Sequence, residues 1–402
     1  MQFFCETGNP HYNCCDGLVG EFIIMCSDNP LKDHITLKIK TDGPMSFEEF
    51  MEDALYFPGM GYYAKDSTMI GTAADFYTSP HLHPLFGAMI GKQIEEMWEL
   101  LDRPAIFNVV EVGAGMGYLA KDSMDYLKKR AVFDSLRYVI IERNPAVMAQ
   151  QLALLKEYEG KVSWHNRLAD INPITGCFLS NELLDAFPVR LVEMGNGLNE
   201  VCVSVNENDE LVEVLKPCGS GILSYFEEFS IDTPFSMEMG YRTEVNLEIK
   251  KWIRDIGKKL FRGFVLTIDY GYPAEDYYSR ERNRGTLLCY HKHQLIEDPY
   301  INIGEQDITA HVNFSSLKKW GEEAGLKTIG FAPQGSYLIS LGMDEVITDM
   351  PELTSDVTDT SKIKGLILPE GMGESHKVMI QYKGEKDFKL RGFEFRNRAK
   401  YL

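Results

Sequence analysis

Asn108-Val-Val-Glu-Val-Gly-Ala-Gly-Met-Gly-Tyr118 is an apolar, β-branched run that ends in an acid and then places glycine at every second position. Such a run predicts a buried strand, a sharp turn and a helix, with Gly113, Gly115 and Gly117 letting the backbone approach a ligand where a Cβ would collide. A dinucleotide fingerprint, G-x-G-x-x-G, would need its third glycine at position 118, and this chain has Tyr118 there with Gly117 one place early. The spacing therefore favours S-adenosylmethionine over NAD as the nucleotide held by the loop. Roughly twenty-five residues after Gly117, Arg137-Tyr-Val-Ile-Ile-Glu142 is a second short strand pattern ending in an acid. A carboxylate at that strand tip accepts ribose hydroxyls, so Glu142 points to a ribose and not to a reaction. Glu111, just before the glycines, is a further cofactor-side candidate.

The rhythm around this stretch alternates. Strands are expected at 107–112, 137–142, near Val162 and at Cys177–Asn181, with helices from about 117 to 130 and 145 to 157, which predicts a parallel sheet covered on both faces. After Pro188 the pattern changes to a β meander over 189–194, 200–206 and 210–215, then a helix over 244–260. The sheet theme returns at Gly263-Phe-Val-Leu-Thr-Ile-Asp-Tyr-Gly271. A helix at 314–324, a strand at 326–332 and a last strand at Lys377–Tyr382 follow, while 344–364 reads as polar and solvent-facing. Upstream, Ser46-Phe-Glu-Glu49 is a capping-box signature opening a helix, and Leu85 to Trp98 carries apolar residues at helix spacing.

These segments give an N-terminal extension (1–42), a helical segment (43–105), a nucleotide-binding core (106–188), an insertion (189–262) and a part that completes the sheet (263–402). The chain has 402 residues, 44% apolar and 25% charged, and a formal charge of −19. It reads as a soluble globular protein, and the acidic balance argues against a nucleic-acid partner, which needs clustered Lys and Arg. Eight cysteines without regular spacing fit a reducing cytoplasm. Cys5, Cys14, Cys15 and Cys26 with His11 lack a C-x-x-C pair, so no metal is expected there. Gly17 to Met25 contains Glu21 and lacks a basic leader, so neither a signal peptide nor a membrane span is expected.

Met45-Ser-Phe-Glu-Glu-Phe-Met51 with Gly61-Tyr-Tyr63, Asp75-Phe-Tyr-Thr-Ser-Pro80, the glycine loop, Asn181-Glu-Leu-Leu-Asp-Ala-Phe-Pro188, Asp269-Tyr-Gly271 and Asp307-Ile-Thr-Ala-His-Val312 occur in this order. Together they resemble the MidA-like family of S-adenosylmethionine-dependent methyltransferases, whose mitochondrial members include an arginine methyltransferase for complex I assembly. The resemblance runs from about Gly43 onward. It departs at Ala74, where the family usually has glycine, and at Asn313, where it usually has aspartate.

What the resemblance implies is an α/β fold: a Rossmann-like class I methyltransferase sheet with an inserted, substrate-facing α+β region and an N-terminal helical segment. It also implies S-adenosyl-L-methionine as the methyl donor and a protein substrate with an accessible arginine, such as a respiratory complex subunit. Glu182 and Asp185, at the carboxyl end of a core strand, are the candidate carboxylates for a guanidinium, with Asp269 and His311 as further catalytic candidates. Thr78, Ser79 and Asn181 join Glu111, Glu142 and the glycines on the cofactor side. The residues alone leave structural roles open: Asp185 bracing the Phe187-Pro188 turn, Glu182 pairing with a local cation, His311 as a hydrogen-bonded core histidine. They also leave open another methyl acceptor or a non-catalytic assembly factor.

Overall fold

The computed structural model describes residues 28–65, 79–229 and 238–402. Its centre is a sheet whose seven long strands are β1 (Phe107–Val112), β2 (Leu136–Ile141), β3 (Val162–His165), β4 (Ile174–Asn181), β5 (Leu260–Tyr272), β6 (Lys327–Pro333) and β7 (His376–Lys383). They lie in the order β6-β7-β5-β4-β1-β2-β3, and an eighth, two-residue strand, Val312–Asn313, pairs with the end of β5. All the pairings from β5 to β3 are parallel, and β7 runs antiparallel to both β5 and β6. The chain moves one way from β1 to β2 and β3, then crosses back to β4 and β5. A crevice therefore opens at the carboxyl ends of β1 and β4, where ligands bind in open α/β sheets.

The strands are buried almost continuously, as a sheet covered on both faces requires, and successive side chains enter opposite cores. Phe107, Val109, Tyr138, Ile140 and Leu179 pack with the helices Leu85–Leu100 and Tyr118–Leu127, while Val110, Val139, Ile141 and Phe178 face the helices Glu248–Lys259 and Phe314–Glu323. A third core lies beyond the insertion. There Arg190–Met194, Leu198–Val205, Leu211–Pro217 and Arg242–Val245 form an antiparallel sheet with Met45–Ser46, covered by Phe50, Met51, Leu55 and Ile35. The predicted capping box is present: Glu49 N–H donates to Ser46 Oγ at 3.2 Å, and Ser46 N–H to Glu49 Oε2 at 2.9 Å.

The structure adds detail to the two segments before residue 106 and corrects two expectations further on. The extension before residue 43 contains a helix, Pro30–Asp42, capped by Asn29, whose Oδ1 accepts from Lys32 N–H at 2.9 Å. Leu31, Ile35 and Ile39 lie one turn apart on its buried side, and burial of each is worth roughly 1.5–3 kcal/mol, enough to hold a helix that propensity alone would not. The segment 43–105 is divided: its first helix joins the antiparallel sheet, while Leu85–Leu100 packs on the central one. Residues 242–245 form a strand, not the start of a helix, because buried Glu244 accepts backbone hydrogens from Thr286 and Leu287 and ties that strand to the loop beyond it. Within 344–364 the apolar minority decides: Val346, Leu353 and Ile363 turn inward to the core from the helices and turn between Met343 and Ile367. The amino-terminal cysteines and the Asp75-Phe-Tyr-Thr78 stretch with Ala74 lie outside the described residues. Among the described residues, no helix is long and apolar enough to cross a membrane.

Candidate functional site

Gly113, Gly115 and Gly117 all adopt left-handed backbone, with φ of 69°, 52° and 87°. Gly117 opens the helix Tyr118–Leu127 without any side-chain cap, which leaves its first amides directed at the loop. A Cβ added at Gly113 would meet Leu183 at 2.8 Å, whereas one at Gly115 would meet nothing within 4 Å. Gly113 is thus packed against the turn after β4, and Gly115 borders open space.

Gln151, fully buried on the next helix, holds the loop in place. Its Nε2 donates to Gly115 O at 2.7 Å and reaches Glu142 Oε2 at 3.4 Å, and its Oε1 accepts from Trp164 at 3.0 Å. Glu142 stands at the tip of β2, its Oε1 accepting Asn144 N–H at 2.8 Å, and burial raises its pKa. Asn144 caps the helix Pro145–Leu154 and also donates to the carbonyls of Tyr63 and Lys65, tying the N-terminal segment to this corner. A loop with glycine at three of its five positions, open space over Gly115 and a braced carboxylate at the neighbouring strand tip fit a nucleoside ligand such as S-adenosylmethionine.

Glu111 does not behave as a cofactor contact. Its carboxylate is buried on the face that Val109 and Tyr138 share, and it accepts Tyr138 Oη–H at 2.7 Å. Burial lifts its pKa from 4.5 to about 7. The folded chain then keeps a proton that the unfolded chain has released, so stability is lost as pH rises through that window, by roughly 3 kcal/mol at pH 8. Glu111→Gln keeps the acceptor and removes the charge. Thermal melts of the variant are expected to match the parent below that window and to exceed it at pH 8.

The acidic half of the site begins where β4 ends. Glu182 takes a left-handed φ of 48°, a strained conformation for a non-glycine residue that swings its side chain off the strand. The side chain is only 4% exposed. Its Oε1 accepts from Ser79 N–H and Asn181 Nδ2, both at 3.2 Å, and lies 3.6 Å from His376 Nε2. Asp185 accepts the Tyr270 hydroxyl on Oδ2, and among the described residues neither its Oδ1 nor Asn181 Oδ1 meets a donor. Burial, reinforced by Asp307 and Glu182, pushes the Asp185 carboxyl up to about 8.

Asp269 is fully buried and braces the turn instead of facing a substrate. Its Oδ2 accepts Leu183 N–H at 3.2 Å and Leu184 N–H at 2.9 Å, and its Oδ1 accepts Tyr270 N–H at 2.9 Å. Burial and the neighbouring Asp185 raise its pKa too. Three N–H donors nonetheless favour charge on Asp269, so in this close pair Asp185 is the member that holds the proton. His311 is a poor base near neutrality, since burial and the nearby Arg282 and Lys377 lower its pKa to about 4. Its ring packs against Tyr270 and Tyr272. Asn313, in place of the family's aspartate, caps the helix Phe314–Glu323 and donates to Tyr225 Oη at 2.8 Å.

The expected residues thus gather at two adjoining corners. The glycines and Glu142 form one, and Asn181, Glu182, Asp185 and Ser79 the other, with Leu183 touching Gly113 between them. Ser79 reaches Glu182 through its backbone, while its hydroxyl donates to Gln334 at 3.2 Å. Thr78 lies outside the described residues. Gln151, Asn144, Tyr270 and His376 escape a reading of the sequence, because each acts through a partner brought close only by folding. Tyr63, which donates to Asp307 at 2.8 Å, joins two stretches that the sequence had marked separately.

Known proteins agree with this geometry. A protein family described as "Putative S-adenosyl-L-methionine-dependent methyltransferase" matches residues 89–332. The protein arginine methyltransferase NDUFAF7 homolog of Drosophila melanogaster, mitochondrial, is 28% identical over 337 residues, 77% of this chain and 74% of its own. The mouse (Mus musculus) protein arginine methyltransferase NDUFAF7, mitochondrial, is 26% identical over 377 residues, covering 86% and 82%. A crystal structure from Burkholderia thailandensis bound to S-adenosyl-homocysteine superposes with a TM-score of 0.85 at 30% identity, covering 92% of this chain and 96% of that one. A central sheet of class I order, a glycine loop at its switch point and a match over more than half the length lead to one conclusion: the chain belongs to this family of S-adenosylmethionine-dependent methyltransferases.

Proposed function

We propose that the methyl acceptor is an arginine side chain of a protein. The observation that carries this is the pair of buried oxygens that meet no donor among the described residues, Asn181 Oδ1 and Asp185 Oδ1, beside the Glu182 carboxylate. A guanidinium has five N–H donors, no acceptor and a fixed positive charge, so it complements such a corner and relieves the repulsion among Glu182, Asp185 and Asp269. The names of the curated relatives support the same class of substrate.

The bound S-adenosylmethionine supplies an electrophilic methyl group on a sulfonium. The chain's own residues supply orientation and charge. Glu182 and Asp185 hold the guanidinium fork and draw positive charge toward the nitrogens they bind, which leaves the remaining nitrogen more nucleophilic. Within this reading the substrate is a cytoplasmic protein, and a respiratory complex subunit is the first to test.

Incubation with methyl-labelled S-adenosylmethionine and a lysate from cells lacking the gene is expected to label a protein band that yields methylarginine on hydrolysis. Label confined to small molecules, or to another amino acid, would replace this acceptor with a different one.

A further inference from the structure

The two nitrogens of His376 have different surroundings, and the difference defines a direction. His376 begins β7 and stands in register with Tyr270 on β5, so its ring lies across the strand from the residue that binds Asp185. It is 3% exposed. Nδ1 is 3.1 Å from Ser375 Oγ, and that hydroxyl in turn reaches Gly371 O at 3.4 Å. With the serine proton directed at the carbonyl, Ser375 Oγ accepts Nδ1–H. Nε2 then carries the lone pair, and among the described residues it has no hydrogen-bond partner.

That lone pair faces Glu182 Oε1 at 3.6 Å, across a gap between two acceptors in a site where both side chains are almost wholly buried. Two acceptors so placed call for a hydrogen between them. On the opposite side the path leads outward: Ser375 is exposed and lines a cavity of about 280 Å³ together with Tyr272, Glu374, Lys377 and Arg398. A buried carboxylate, an imidazole and a hydroxyl thus connect the acidic corner to solvent.

We propose that His376 is the proton exit of the methyl transfer, taking from Glu182 the proton that the methylated guanidinium gives up from a nitrogen Glu182 binds, and passing a proton on to Ser375 and the cavity beyond. The inference rests on the proposed nitrogen acceptor. As the substrate nitrogen bonds to the methyl carbon, the carbon–sulfur bond breaks with its electron pair left on sulfur. A guanidinium and a sulfonium become a methylguanidinium and a neutral thioether, so one proton must leave. An N–H proton on a nitrogen that Glu182 binds moves to the Glu182 carboxylate, then to His376 Nε2, while the Nδ1 proton is released through Ser375 Oγ. His376 acts through Glu182 and does not touch the reacting atoms.

The experiment has two arms on the full chain. Nitrogen-15 spectra of histidine-labelled protein, with the His376 signal assigned from the spectrum of His376→Gln, are expected to show the Nδ1–H tautomer. The Nε2–H tautomer would overturn the relay, and this readout needs no turnover. In the second arm, His376→Gly and His376→Gln are expected to lower kcat by about 10²-fold, with S-adenosylhomocysteine affinity within about twofold of the parent. Imidazole in the buffer is expected to restore much of the lost rate to His376→Gly and none to His376→Gln, whose side chain fills the space. An unchanged kcat, or a loss that imidazole does not relieve, would also overturn it. Failure of the parent protein to methylate any arginine is a separate result, which removes the substrate reading while the tautomer still decides the relay.

Discussion

Asp185→Asn is expected to lower kcat/KM for the protein substrate by at least about 10²-fold while making the folded chain more stable at pH 8. Both effects come from one cause. The Asp185 carboxyl is buried beside Glu182, Asp269 and Asp307, with the Tyr270 hydroxyl on one oxygen, and its pKa rises to about 8. A carboxyl whose folded pKa is raised binds its proton more tightly folded than unfolded. Its contribution to stability is therefore lost as pH climbs from the ordinary carboxyl range toward 8. The amide keeps an oxygen for Tyr270 and carries no charge, so the variant escapes that loss. Catalysis has the opposite requirement, because a guanidinium needs an ionised partner. The parent's kcat/KM is accordingly expected to climb with pH up to about 8, as Asp185 ionises, and the variant's to lack that limb. Melting curves at pH 5 and pH 8 with steady-state rates on the same preparations check both halves. A variant that is active, or less stable at pH 8, would show that Asp185 is a brace and not a substrate contact.

Gly115→Val is expected to weaken S-adenosylhomocysteine binding roughly a hundredfold, about 2.7 kcal/mol, while leaving a folded protein. A valine at a φ of 52° is strained, and the strain lowers the melting temperature modestly. Among the described residues nothing lies within 4 Å of an added Cβ at Gly115, so the bulk is directed into the space assigned to the ligand and not into the core. Gly113→Ala is the contrasting variant. Its added carbon would meet Leu183 at 2.8 Å, next to the turn that carries Glu182 and Asp185, so stability and acceptor binding should suffer along with the cofactor. Calorimetric titration with S-adenosylhomocysteine, paired with thermal melts, separates the two. Equal binding by Gly115→Val and the parent would place the cofactor elsewhere.

What a linear chain can announce is what local rules govern. Val109, Val110 and the β-branched residues around Tyr138 announce buried strands, since neighbours two apart must share a face. The glycines at 113, 115 and 117 announce a turn that only they adopt cheaply, and Ser46 with Glu49 closes its cap within one helical turn. Family motifs carried the order of these pieces and the cofactor class. The same local rules left residues 30–42 unassigned, where the Asn29 cap and the Leu31–Ile35–Ile39 stripe were present but short, and misjudged 244–245, where a strand depends on the loop at Thr286.

The chemistry of the carboxylates was decided by folding alone. Glu111, Asp185 and Asp269 look alike as acids at strand ends, yet one is held by Tyr138, one is left with a bare oxygen, and one is enclosed by three amide hydrogens. Gln151 and His376 meet their partners across 36 and 194 residues, distances over which no spacing in a sequence carries a signal. An ionisable group's behaviour depends on which dipoles and charges stand within a few ångströms of it and how little water remains, and only the packed structure sets those.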